Sequence, residues 1–233
     1  MANQAIRQIP VKVSWRDVIE LDIADPELKK KTENFLTKLE RSAFRYETKD
    51  PVTGKVTQKE LSGQEMLQKI AETQKMYREA GLSDALGARG MMRNGKFVIS
   101  QHDRQFDGRV ENGCNTAFIG IGNGIMAPVG ISLGLDYLRG ARFSDTGGRW
   151  NPVTIEGVLS NELAHLAYRT TNEQFSNQIE GIISVALGGR QRSSSENVDF
   201  RRNGNGGIQS LLEKAPEPKA NLKAMAPVLE LQA

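Results

Sequence analysis

A chain of 233 residues can bury one sizeable core, and a net charge of +3 with 25% charged residues is too balanced to mark a nucleic-acid binder. The lone Cys114 excludes an internal disulfide framework and a thiolate zinc site, and fits folding in a reducing cytosol. With His102 and His165 as the two histidines, any metal centre must be completed by carboxylates, water or an unusual ligand.

The opening MANQAIRQIPVKVSW is polar and has no signal-peptide core, and no run reaches the roughly 18 apolar residues of a spanning helix. The expectation is a soluble protein that makes no membrane contact, cytoplasmic or secreted by a route without a cleavable signal. Val11-Lys12-Val13 and Trp15 read as a strand or an edge segment. Asp25-Pro26-Glu27 starts a helix whose apolar face is Leu28, Phe35, Leu36 and Leu39. Phe44 to Thr57 reads as a hairpin around Asp50-Pro51-Val52-Thr53-Gly54. Ser62 and Glu65 form a capping pair that opens a helix through Met66, Ile70, Met76 and Tyr77, closing near Gly81.

The middle of the chain is glycine-rich. Lys96–Ser100 and Thr116–Ile121 read as strands, with loops between and after them. Helical spacing returns from about Thr154 to Arg169. A further helix starts at Asn172, an N-cap, and turns Phe175, Ile179, Ile182, Ile183 and Leu187 inward. The expected organisation is a mainly helical portion over 1–90, a core over 91–192 and a flexible tail over 193–233, rich in Ser, Gly and Pro.

Two phosphate-binding patterns fail on inspection. Gly90-x-x-x-x-Gly95-Lys96 has Phe97 where a hydroxyl belongs and precedes a strand, so Asn94-Gly95 reads as a turn. Gly120, Gly122 and Gly124 lack the third glycine of a dinucleotide fingerprint, with Ile125 in its place. The chemistry-bearing stretch is Val158-Leu159-Ser160-Asn161-Glu162-Leu163-Ala164-His165. It is His-Glu-x-x-His with an amide at the first position, and that motif places two zinc ligands one helical turn apart around a general-base glutamate. On a helix Asn161, Glu162, His165 and Arg169 share one face, and Ile155, Leu159, Leu163 and Leu166 the other. On the following helix Glu173, Asn177 and Glu180 share a face, so a site could assemble between the two helices.

From Pro152 to Arg192 the chain resembles the zincin-type metallopeptidase domains of bacterial toxins and effectors, including those at the ends of Rhs-type toxins. The matching stretches are Asn161-Glu162-Leu163-Ala164-His165, Asn172-Glu173, Gln178-Ile179-Glu180-Gly181 and the closing Ala186-Leu187-Gly188-Gly189-Arg190. The resemblance implies an α+β, zincin-like fold, with the 116–121 strand as a substrate edge beside the active helix. It implies Glu162 as base, His165 as zinc ligand, Glu180 as third ligand with Glu173 in reserve, and Asn161 at the first-ligand position. The departures are Asn161, whose neutral amide is a weak zinc ligand, and Gly181, where the family tends to have Asn. Three functions stay open: a zinc-dependent peptidase with an altered metal site, an inactive relative that binds a peptide or protein in the same groove, and an interaction protein with an accidental motif.

Overall fold

The computed structural model describes residues 6–88, 90–102, 105–106, 109–110, 114–120, 126–192 and 198–200. After strand β1 (Ile6–Gln8), the expected strand around Trp15 is instead a one-turn helix, α1 (Trp15–Val18). Ser14 caps it and Asp17 reaches back to the cap N–H, a reciprocal pair that outweighs the local Val-Lys-Val alternation. Strand β2 (Ile19–Asp22) follows, and then α2 (Pro26–Glu40), with Asp25 accepting from Leu28 N at 2.8 Å. The hairpin β3 (Ser42–Lys49) and β4 (Val56–Ser62) turns on Asp50, whose side chain accepts from Val52 N and Thr53 N. Ser62 caps α3 (Gly63–Glu79), which carries Met66, Leu67, Ile70 and Tyr77 into the core.

The segment from 1 to 90 therefore contributes strands as well as helices. A short α4 (Ser83–Ala88) leads to β5 (Met92–Arg93) and β6 (Lys96–His102). Asn94 and Gly95 both have positive φ, 53° and 74°, and form the two-residue turn joining β5 to β6. The small ribbon of β7 (Gln105–Phe106) and β8 (Arg109–Val110) precedes β9 (Asn115–Gly120) and β10 (Met126–Gly134).

β10 lies where a loop is expected from the sequence, and it is an interior strand of the main sheet. Pro128 and Gly130, normally strand breakers, flank an irregularity in its pairing with β9, where the lost ladder bond of a proline is tolerated. The sheet order is β2-β6-β10-β9, with β5 also on β6. β2, β6 and β10 run parallel, and β9 lies antiparallel at the edge.

The remaining elements are α5 (Leu135–Gly140), β11 (Ala141–Ser144), β12 (Trp150–Pro152), α6 (Ile155–Tyr168), α7 (Glu173–Ala186) and β13 (Val198–Phe200). Within the segment expected as a tail, β13 pairs with β11. The architecture is α+β. Helix α6 touches α2, α3 and α7 on one side and β9 and β10 on the other. It is consequently buried all round, including Asn161, Glu162 and His165, which were expected to face an open cleft. Among the described residues no helix is long and apolar enough to cross a membrane.

Candidate functional site

Three elements meet over the polar residues of α6: the edge strand β9, the 169–172 connection and the first turns of α7. Thr154 caps α6 by accepting from Gly157 N, and Arg169 closes the helix in the left-handed conformation, φ 52°. That sharp exit returns the chain at once, so α7 runs back along α6 and faces it residue by residue.

Glu162 points to β9. The Thr116 hydroxyl lies 2.8 Å from Glu162 Oε2 and 2.9 Å from the Glu162 carbonyl oxygen, tying strand to helix. Burial pushes the Glu162 carboxyl up to about 7, against the pull of the Thr116 hydrogen bond and of His165. Two residues along β9, Phe118 meets the His165 ring edge to face at 5.9 Å.

His165 lies between two acceptors. Nδ1 is 2.6 Å from the Thr170 carbonyl, which can only accept, so Nδ1 carries a hydrogen. Nε2 faces Glu173 Oε1 at 3.4 Å. Burial works against a charged ring, but Glu173 and the Thr170 carbonyl outweigh it and hold His165 above its ordinary value of 6.5. In return the His165 side chain holds the Glu173 carboxyl below its ordinary range.

The other two expected ligands are committed elsewhere. Asn161 Nδ2 donates to Ser176 Oγ at 3.1 Å and to Asn177 Oδ1 at 2.9 Å, fastening α6 to α7. Glu180, buried beside the first turn of α6, accepts from Arg192 Nε at 3.2 Å and Nη2 at 3.0 Å. Burial raises its pKa despite the nearby guanidinium. The structure thus reverses the expected order of the carboxylates: Glu173 meets His165, and Glu180 belongs to an ion pair. The arginine that reaches α7 is Arg192. At Gly181 a Cβ would lie 2.9 Å from Gln191 Cγ, so the Gln191 side chain occupies the space beside it. His102 ends β6, where it pairs with Gly134 of β10.

A zinc centre needs three or four converging ligands. Among the described residues no three His, Cys, Asp or Glu side chains converge to hold a metal ion. The donors at hand, His165 and Glu173, are fewer than such a centre requires, and the residues do not fit zinc. Thr116, Phe118 and Thr170 complete the cluster around Glu162 and His165 without belonging to any sequence motif. The period-two spacing of Thr116 and Phe118 is the signal that could have found them, since it puts both on one face of the strand. Searches against protein-family models, characterised proteins and solved structures find no match to this chain.

Proposed function

We propose that this chain is a zincin-like protein, of the kind bacterial toxins and effectors carry, that binds an extended peptide along β9 without a complete metal centre. The observation that carries this reading is the antiparallel edge strand whose Thr116 and Phe118 rest on Glu162 and His165. Pairing with β10 uses one edge of β9, and an added strand on its other edge would gain backbone hydrogen bonds that need no metal. The polar residues of α6 then act as a floor: Asn161 holds α7 in place, and Glu162 holds β9.

A second reading, a zinc-dependent peptidase with an altered centre, draws support from the buried Glu162 carboxyl, whose pKa of about 7 suits proton transfer at neutral pH. Metal analysis of the purified protein separates the two, run beside fluorescence anisotropy with peptides blocked at both ends. Peptide binding without cleavage is expected, with zinc far below one per chain, and Phe118→Ala should weaken binding roughly tenfold. Stoichiometric zinc, together with cleavage that disappears in Glu162→Gln, would establish the peptidase instead. Asn161→His should raise zinc occupancy in a manner that depends on Glu173 rather than on Glu180.

A further inference from the structure

At the opposite end of α6 lies a cavity of about 420 Å³, bounded by β11, β12, α7 and the segment that follows α7. From Gly157 to His165 is about 12 Å along the helix axis, so this cavity is distinct from the β9 groove. Its floor is polar and incompletely satisfied. Glu180 Oε2 lies 2.8 Å from Arg192 Nη2 and has almost no accessible surface, so this ion pair underlies the floor without offering an acceptor to the cavity. Ser184 is 6% exposed, and its hydroxyl makes no hydrogen bond to any described residue.

The absence of a side chain at Gly157 keeps this floor open. A Cβ there would sit 3.2 Å from Glu180 Oε1 and 3.5 Å from Ser184 Oγ. Phe143, Val153 and Leu187 form apolar walls. Lys38 and Arg190, both exposed, stand at the mouth with Glu156, Asp145 lies within electrostatic reach of Arg190, and the N-terminus of α6 opens beside them. A fitting ligand therefore carries an anion outward, a hydrogen-bond donor inward and an apolar group between.

We propose that the cavity captures the carboxyl-terminal residue of a peptide with an apolar last side chain. The terminal carboxylate meets Lys38 and Arg190, and the last N–H donates to the Ser184 hydroxyl oxygen. The apolar side chain lies on Phe143, Val153 and Leu187. The guanidinium of Arg192 neutralises Glu180, so the floor does not repel the anion.

The test uses the full chain and fluorescein-labelled Ala-Ala-Ala-Leu, as free acid and as carboxamide, followed by anisotropy. The acid should bind roughly tenfold tighter than the amide, and added salt should narrow the gap. The double variant Lys38→Gln/Arg190→Gln, at exposed positions that leave the circular dichroism spectrum unchanged, should bring the two within about twofold. Equal binding of acid and amide, binding of neither at millimolar protein, or a gap that survives the double variant would overturn the proposal. Blocked peptides and Phe118→Ala report separately on β9, so failure at one site is distinguishable from failure at the other.

Discussion

The Glu162 carboxyl is lifted by burial to about 7 from an ordinary value of 4.5, so the fold prefers its protonated form. Its contribution to stability is full below about pH 4.5 and is lost as pH rises through about 7, an effect of about 3 kcal/mol at roughly 1.4 kcal/mol per pH unit. His165 acts in the same direction: its folded pKa lies above 6.5, so its share is present below that value and disappears as pH rises past the folded pKa. Urea unfolding from about pH 5 to about pH 8 should show the parent protein losing stability. Glu162→Gln keeps the shape of the side chain and should lose much less. Equal slopes for the two proteins would locate the titrating group elsewhere. Glu162 and His165 were legible in the sequence because their spacing is itself a motif. Thr116 was not, because its contact with Glu162 depends on the register of β9 against β10, and nothing local to Thr116 records that register.

The α6–α7 pair behaves as a hairpin with a polar seam of matched levels: His165 with Glu173, Asn161 with Ser176 and Asn177, and Gly157 with Glu180. At the last level Glu180 and Arg192 have side chains 4% and 11% exposed, so their pairing takes place out of water. Arg192→Met strands the carboxylate and should cost about 3–5 kcal/mol in denaturant unfolding, whereas Glu180→Gln/Arg192→Met together should recover most of that loss. A double variant as unstable as the single one would show that Arg192 acts through its packing instead of its charge. Helices were the elements best read from sequence, because Asp25, Ser62, Thr154 and Asn172 each announce a start and each serves as a cap. The strand β10 escaped because Pro128 and Gly130 argue locally against a strand. Tyr77 donates to the Pro128 carbonyl at 2.8 Å, and such tertiary contacts override that local preference.

Among the described residues a single apolar cluster joins Trp15 and Phe35, Tyr77 and Phe97, and Leu159 and Ile183. Unfolding should accordingly be one transition, coincident by tryptophan fluorescence and circular dichroism, and a fragment spanning 91–192 should remain unfolded. An independently folding fragment would show that the first ninety residues are a separate unit. What the sequence could not convey at this scale is that β2, four residues long, belongs in the main sheet beside β6, more than seventy residues later. That pairing also sets an order of assembly. The hairpin β3–β4 and helices α2 and α3 can form while the chain is still being made, from contacts close in sequence. β2 must wait until residues 96–102 leave the ribosome, which at 5–20 residues per second is roughly 4–15 s after β2 itself emerges. During that interval Ile19 and Leu21 are without their sheet partners Phe97 and Ile99, and a chaperone that engages the nascent chain would find an apolar foothold there.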